Sequence, residues 1–132
     1  MKAGTVTLTI ERIVAGGYGL ARTDEGVVLV RGGLPGETVT TRPKPVAGTL
    51  RGHVSEILEP HPERSRLELP PGADLPLSYP TQLEVKRGLV IEALERVAGV
   101  TADVAATVPS PRELGYRAVA QYAVLPDGGL AA

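Results

Sequence analysis

The chain has 132 residues, enough for one ordinary domain or for a barrel of about 60 residues with part of a second unit. The hydrophobic fraction of 42% and the charged fraction of 22% are typical of globular proteins, and no apolar run is long enough for a membrane-spanning helix or a signal peptide. A net charge of -1 excludes a strongly basic polyelectrolyte, and the absence of cysteine excludes disulfides, thiolate metal sites, iron–sulfur clusters and a cysteine nucleophile. A soluble, cytoplasmic protein is expected.

Short strand patterns separated by turn signals occupy the first sixty residues. Val6, Leu8 and Ile10 alternate with polar residues, which is the period of a half-buried strand. The glycine-rich stretch AGGYGLAR that follows suits a sharply bent loop, because glycine adopts positive φ at little cost. The pattern therefore favours a small β-barrel over residues 1–60. Strands are predicted at 5–14, 26–30, 38–42 and 50–58, with turns at 32–37 and a loop at 43–48.

A linker is predicted after the barrel, at residues 61–80. Residues 60–80 contain six prolines, which exclude a continuous helix or a central strand. We therefore expect a break between two structural pieces in this part of the chain.

The clearest helix is predicted to begin at Thr81. Thr81 and Glu84 have the spacing of a capping box, and Glu92 and Arg96 form an i,i+4 pair of opposite charge. Gly99 is a suitable C-terminal stop. The predicted apolar face comprises Leu83, Val90, Leu94 and Val97.

Residues 81–132 are interpreted as the start of an α+β domain. Strands are predicted at 103–108 and 116–125, and the Asp-Gly-Gly sequence at 127–129 has the composition of a hairpin turn. No second strand is predicted after this turn. The chain is therefore expected to stop within its second domain.

Neither metal binding nor catalysis has a complete set of residues. His53 and His61 lie on a predicted strand and in the linker with no third ligand nearby, which favours ordinary surface histidines over a metal site. No serine lies in a G-x-S-x-G sequence. The glycine-rich stretch leads into a strand, so the helix N-terminus that binds phosphate in nucleotide sites is missing. No catalytic residue and no metal site are predicted.

The glycine-rich stretch has two interpretations. The favoured one is a tight barrel loop that needs glycine for its geometry; the other is an RNA-contacting surface on which Tyr18 stacks and Arg22 contacts phosphate. Cations spread along the barrel can bind a nucleic-acid backbone only if the fold gathers them into one groove. The barrel residues considered for RNA contact are Arg12, Tyr18, Arg22, Arg31, Arg42, Lys44 and Arg51.

Five segments in this order resemble the N-terminal part of the bacterial RNA uracil-C5 methyltransferases, which begin with a TRAM domain. Together they cover almost the whole chain. The segments are LTIERIVAGGYGLAR (8–22), GVVLVRGGLPGETV (26–39), GHVSEILEPHPERS (52–65), LSYPTQLEVKRGLVIEAL (77–94) and PSPRELGYRAVAQY (109–122).

The resemblance implies a mainly β chain with one helix: a five-stranded, OB-like TRAM barrel followed by part of a central α+β domain. It implies ribosomal or transfer RNA as the partner and S-adenosylmethionine as the cofactor of the parent enzyme, with no DNA or membrane partner. It adds Tyr116, Arg117 and Gln121, from the Y-R-x-x-x-Q segment, to the candidate RNA contacts.

The chain departs from the family pattern at three places. The stretch 67–77 lacks the cysteines that hold a [4Fe–4S] cluster in many members, and Ala118 and Val119 stand where the family often has Asn and Lys. The family's cofactor-binding domain, with its catalytic cysteine and general-base glutamate, is expected to lie outside this chain. Methyl transfer to uracil C5 requires a thiolate to add at C6, so a chain without cysteine is expected not to catalyse it alone.

Two functions are compatible with these patterns. The leading hypothesis is an RNA-binding N-terminal portion of an rRNA or tRNA uracil-C5 methyltransferase whose catalytic domain belongs to a longer parent chain. The alternative is a structural or protein-interaction barrel without a catalytic role.

Overall fold

The computed structural model describes residues 4–65 and 75–131. The chain divides into two units: residues up to Arg64 together with 75–76, and a second unit comprising Ser65 and the described residues from Leu77 onward. The central part of the predicted linker, 66–74, lies outside the described residues. Within the described ranges, no helix is both long and apolar enough to cross a membrane.

The first unit is a curled sheet of seven strands. The order across the sheet is β1-β5-β7-β4-β3-β2, with β6 paired to β7, and the β4–β7 pair is parallel while its neighbours are antiparallel. The strands are β1 (Val6–Thr9), β2 (Arg12–Val14), β3 (Tyr18–Thr23), β4 (Gly26–Arg31), β5 (Thr38–Thr41), β6 (Lys44–Val46) and β7 (Thr49–Glu59).

A two-residue connection forces this sheet to curl. β1 and β2 lie at opposite ends of the strand order, although only Ile10 and Glu11 separate them, and so short a connection cannot cross a flat sheet. The N–H of Ile10 donates to the Glu37 carbonyl at 2.9 Å, and the N–H of Glu11 donates to the Leu20 carbonyl at 2.8 Å. The expected mainly β, OB-like partial barrel is confirmed. The seven observed strands correspond to the expected five when β1 and β2 are counted as one interrupted strand and β5 and β6 as another.

Aliphatic side chains that point inward from the strands form the barrel core. Val28 and Val30 alternate inward along β4 and are fully buried. Gly19 leaves room for this packing, because a Cβ there would lie 2.6 Å from the Gly33 carbonyl oxygen. The buried cluster comprises Leu8, Ile10, Ala21, Val28, Val30 and Val39.

A buried carboxylate, Glu37, lies beside this core and is fully satisfied by hydrogen bonds. Arg64 donates to it twice, from Nε to Oε1 and from a terminal nitrogen to Oε2, both at 2.6 Å. The backbone N–H groups of Leu34 and His61 donate to the same carboxylate at 2.9 Å each. Arg64 also donates to the Gly32 carbonyl at 2.6 Å. One side chain therefore joins the β4–β5 turn to the segment that follows β7.

Burial and hydrogen bonding have opposite effects on the pKa of Glu37, and the hydrogen bonds together with the charge of Arg64 have the larger effect. Burial alone raises the pKa of the carboxyl, because it disfavours the charged form. The hydrogen bonds from Arg64 and from the backbone of His61 and Leu34, together with the charge of Arg64, outweigh burial and lower the pKa below its ordinary value. The carboxylate is therefore charged in the folded barrel at neutral pH.

Three sequence predictions for the barrel are wrong in detail. The glycine-rich stretch is a loop only up to Gly17, whose N–H donates to the Val14 carbonyl at 3.0 Å, and β3 begins at the next residue. The predicted loop 43–48 contains β6, which tolerates Pro45 because it pairs with β7 alone, as an edge strand. The first predicted strand is interrupted at Ile10, where the backbone changes hydrogen-bonding partners.

The second unit is built on one helix, α1 (Tyr79–Ala93), followed by a π-helical turn at Leu94–Ala98. The helix begins before the predicted Thr81, because Pro80 is accommodated in a first turn that needs no N–H from it. The predicted capping box is wrong: no side chain caps the helix, and the Thr81 hydroxyl pairs with the Ser78 hydroxyl at 2.9 Å. The predicted stop at Gly99 is confirmed by its φ of 65°.

An extended segment runs antiparallel to α1 and is attached to one side of it. Three hydrogen bonds connect successive helical turns to every third residue of the segment. They join Arg87 Nε to the Val104 carbonyl (2.8 Å), the Thr107 hydroxyl to the Leu83 carbonyl (2.9 Å) and the Ser110 N–H to the Tyr79 hydroxyl (2.7 Å). The strand predicted at 103–108 is wrong, because this segment bonds to a helix and not to a neighbouring strand.

The end of the described chain forms a minimal hairpin. Ala123–Val124 (β8) pairs with Leu130–Ala131 (β9), so the strand predicted at 116–125 shrinks to two residues. The predicted turn is confirmed, with the Gly129 N–H donating to Asp127 Oδ1 at 2.8 Å. The prediction that no second strand follows the turn is wrong.

The predicted apolar face of the helix is not buried. Among the described residues, α1 and its π-helical turn bury no side chain, and Val90 and Val97 are 50% and 87% exposed. The predicted i,i+4 pair forms, with Arg96 and Glu92 at 2.9 Å. Hydrogen bonds, more than an apolar core, therefore hold the helical unit together.

Replacing the buried carboxylate, Glu37→Gln, is expected to destabilise the barrel on the order of 3 kcal/mol, because it leaves the Arg64 cation without its counter-charge. The side chain of Arg64 is only 19% exposed. Urea unfolding of the 132-residue chain at pH 7 measures the change. The matched control is Glu56→Gln at an exposed position, expected to change stability by less than about 0.5 kcal/mol. Equal effects of the two substitutions would contradict the assignment.

The lowered pKa of Glu37 predicts a specific loss of stability in acid. Its contribution is complete above the ordinary carboxyl value of 4.5 and is lost as the pH falls through the lower folded-state pKa. The difference in unfolding free energy between the wild type and Glu37→Gln should therefore shrink as the pH is lowered below 4.5. A difference that stays constant down to pH 2 would show that the carboxylate charge is not the stabilising feature.

Candidate nucleic-acid interface

Strand register brings most of the predicted RNA contacts to one outer face of the barrel. Residues that oppose each other on neighbouring strands point to the same side of a sheet, and Tyr18 opposes Arg31 while Lys44 opposes Arg51. Across the parallel β4–β7 pair, Arg51 also opposes Leu29. Leu29 in turn opposes Leu20 on β3, and Leu20 opposes Arg12 on β2, so Arg12 lies on the same side as Arg51. We call this side the basic face. It carries Arg12, Tyr18, Arg22, Arg31, Lys44 and Arg51.

An open groove of about 530 Å³ lies beside Tyr18 on this face. Three of its lining residues are cationic and none is acidic. Arg42, the seventh barrel candidate, lines the groove and donates from Nε to the Thr5 hydroxyl at 2.9 Å. The lining residues are Tyr18, Arg42, Lys44, Val46, Arg51, Gly52, His53 and Ser55.

Two arginines lie over the ring of Tyr18. The guanidinium carbon of Arg31 is 4.7 Å from the ring centroid, and that of Arg51 is 5.6 Å away. Both distances are within the range of cation–π attraction. A hydrogen bond with Arg31 and the positive charges of both arginines lower the pKa of the Tyr18 hydroxyl. Tyr18 is therefore the centre of a charged cluster.

Arg22 is held less firmly than the arginines around Tyr18. Its side chain is exposed, and its Nε lies 3.7 Å from a carboxylate oxygen of Glu11. An exposed pair at this distance contributes little to stability and is screened by salt. Arg22 can therefore exchange this partner for another anion.

Another part of the outer surface of the sheet, formed by β1, β5 and the end of β7, has a different chemistry. β1 and β5 pair so that Thr7 opposes Thr40 and Thr9 opposes Thr38. The next positions across β7 are Glu56 and Glu59, and the Thr38 hydroxyl donates to Glu59 at 2.7 Å. The outer surface of the barrel therefore has two regions of different charge: the basic face carries cations, and the β1–β5–β7 region carries threonines and glutamates.

Geometry accounts for the glycines in the stretch before and within β3. Gly16 and Gly17 adopt φ of 87° and 77° in the turn, a region that other residues rarely occupy. Gly19 lies against the Gly33 backbone. The favoured interpretation of this stretch as a glycine-dependent turn is thus supported by the backbone, while Tyr18 between them reaches the groove.

The three candidate RNA contacts from the second half of the chain, Tyr116, Arg117 and Gln121, lie in the second unit. Tyr116 lines a cavity of about 660 Å³ with Ser78, Tyr79, Gln82 and Lys86, which come from the segment that carried the family resemblance. Arg117 lies 5.8 Å from the centre of the Tyr116 ring, and Gln121 is exposed. The structure does not bring these three residues into one cluster.

Sequence patterns missed four residues that line the groove: Val46, Gly52, His53 and Ser55. His53 follows Arg51 on the same side of β7, so strand alternation alone would have placed it beside the arginine. His61, by contrast, accepts the Glu63 N–H on its Nδ1 at 2.9 Å. Within the described ranges, no three histidine or carboxylate side chains form a group that could hold a metal ion.

Comparison with known proteins identifies relatives among the RNA methyltransferases. An uncharacterized RNA methyltransferase of Gloeobacter violaceus is 33% identical, covering 89% of this chain and 28% of the relative. One of Aquifex aeolicus is 30% identical, covering 94% of this chain and 31% of the relative. The 23S rRNA (uracil(1939)-C(5))-methyltransferase RlmD of Pseudomonas putida is 35% identical, covering 89% and 27%. No protein-family model matches.

These relatives confirm the resemblance to the RNA uracil-C5 methyltransferases. The similarity extends over about nine-tenths of the chain, whereas the chain spans less than a third of the length of each relative named above. The chain is therefore homologous to one part of an RNA methyltransferase.

The floor of the groove is expected to be intolerant of a side chain at Gly52. An added Cβ would collide with the hydroxyl of Thr41, which is fully buried and donates to the His53 carbonyl at 2.7 Å. Gly52→Ala should cost about 1–3 kcal/mol of unfolding free energy, measured in urea. Gly88→Ala is the control: its Cβ enters open space within α1 and should add up to about 1 kcal/mol. Equal stability of the two variants would contradict the packing at Gly52.

Proposed function

We propose that this chain, homologous to part of the RNA methyltransferases, is an RNA-recognition segment that binds its substrate through the basic face of the barrel. The observation that carries the proposal is the gathering of six of the seven barrel candidates on one side of the sheet, with the seventh lining the adjoining groove. They come from five strands and the β5–β6 connection, so only the folded barrel assembles them.

Local charge explains how a chain with a net charge of -1 binds a polyanion. Six cations collect on the basic face and its groove, while Glu56 and Glu59 lie on another part of the outer surface, where β5 pairs with β7. Such segregation produces a positive potential on one side that a whole-chain sum conceals. The open shape of the groove suits a backbone that passes along the surface.

The whole parent protein, on this proposal, is an S-adenosylmethionine-dependent uracil-C5 methyltransferase acting on ribosomal or transfer RNA in the cytoplasm. The barrel corresponds to its TRAM domain, and the second unit, with Tyr116, Arg117 and Gln121, to the start of its central domain. The thiolate that must add to uracil C6 comes from another part of the parent, since this chain has no cysteine.

Charge reversal on the basic face is expected to weaken RNA binding selectively. The double variant Lys44→Glu with Arg51→Glu should lose at least about tenfold in affinity for ribosomal or transfer RNA, because two phosphate contacts become repulsive. Fluorescence titration of the 132-residue chain at low and moderate salt measures the affinity.

The matched control changes the net charge equally in the second unit, at the exposed residues Arg96 and Arg112. Arg96→Glu with Arg112→Glu should weaken binding much less than the variant on the basic face. Equal losses in the two double variants, or no RNA binding by the wild type at low salt, would refute the proposal.

A further inference from the structure

Two arginines lie over the ring of Tyr18 in the folded barrel. Arg31 and Arg51 have their guanidinium carbons 4.7 and 5.6 Å from its centroid. A base that stacks on an aromatic side chain needs an uncovered ring face. A ring face that lies under a guanidinium is not open to a base, which counts against the base-stacking role that the sequence suggested for Tyr18.

A guanidinium that is held over an aromatic ring is well suited to bind phosphate. The planar group presents five N–H donors along its edges, so a guanidinium held beside an aromatic ring can still direct donors to another group. These donors match the oxygens of a phosphate and can bind two of them at once. An arginine fixed in this way also loses less rotamer freedom when a phosphate arrives.

Arg51 lines the groove with no acidic residue beside it in the described part of the chain. Its Nε is buried and has no hydrogen-bond partner among the described residues. Lys44 opposes Arg51 directly across the β6–β7 pair and adds a second charge to the same groove. The groove thus offers cationic donors with no acidic residue to neutralise them locally.

We propose that Tyr18 is a positioning residue that holds Arg31 and Arg51 for the phosphates of an RNA backbone, and that the groove binds the sugar–phosphate chain without stacking a base on Tyr18. This inference rests on the proposed function, because it specifies which part of the RNA the basic face contacts. It assigns Tyr18 an effect on RNA binding that is transmitted through the charges of two arginines.

The test measures how affinity depends on salt. Each phosphate contact to single-stranded RNA contributes about 0.7 to the slope of log K against log salt concentration. Tyr18→Leu removes no charge, yet it should flatten the slope by about 0.7 or more and weaken binding at least about fivefold, because the arginines lose their support. Tyr18→Phe keeps the ring and should retain most of the slope. Arg51→Gln should flatten it by about 0.7.

A second measurement distinguishes binding to the sugar–phosphate backbone from binding to the bases. Fluorescence anisotropy of the 132-residue chain is followed with a single-stranded RNA of about 12 nucleotides and with an abasic sugar–phosphate oligomer of the same length. We expect the abasic oligomer to bind within about threefold of the RNA, and Tyr18→Leu to weaken both by the same factor. Arg96→Gln is the control for loss of one charge in the second unit and should leave the Tyr18 effect unchanged.

Two outcomes overturn this inference and leave RNA binding intact. One is wild-type binding to RNA with no binding to the abasic oligomer, and the other is a Tyr18→Leu loss confined to RNA that contains bases, at an unchanged salt slope. Failure of the wild type to bind either polymer, with a normal unfolding curve, overturns the proposed function as well. Circular dichroism and urea unfolding of Tyr18→Leu establish that the folded barrel is being measured.

Discussion

The charged carboxylate of Glu37 is the constraint on which the barrel depends. It is fully buried, and its oxygens are satisfied by Arg64 and by two backbone N–H groups from different segments. The backbone carbonyl of the same residue accepts the N–H of Ile10, at the junction where the two ends of the sheet meet. One residue therefore fixes the β4–β5 turn, the closure of the sheet and the exit of the chain after β7. Loss of the Arg64 contact would leave a buried charge unpaired, so the turn and the exit segment depend on each other.

The strand register of the sheet determines on which face the charged side chains lie. In a strand, alternate side chains point to opposite faces, so the register that buries Val28 and Val30 also turns Arg31 outward beside Tyr18. A shift of one residue would exchange core and basic face completely. The basic face is thus a consequence of the same register that builds the core, and its positive potential owes nothing to an excess of basic residues.

The sequence was most informative where periodicity or backbone conformation acts locally. Alternation predicted the strands, and glycine preference predicted the turn at Gly16 and the stop at Gly99, both of which have positive φ. It missed β3, since glycine disfavours strands in general but Gly19 is required there by a close backbone contact. It could not find the pairing of Glu37 with Arg64, because 27 residues separate them and the linker composition around Arg64 resembles a loop. The candidate cations were identifiable, but their clustering depends on the closed topology.

The way the basic face is built limits what it can recognise. Contacts to phosphates set the position and orientation of a nucleic acid but carry no direct sequence information. If Tyr18 supports arginines and does not stack a base, the barrel supplies affinity and register for the proposed RNA ligand, and it supplies no direct reading of the bases. On the proposed function, the attacking cysteine also belongs to another part of the protein, because this chain has none. The proposal therefore treats RNA capture and base selection as separable, and it expects variants of the groove to change how tightly RNA is held.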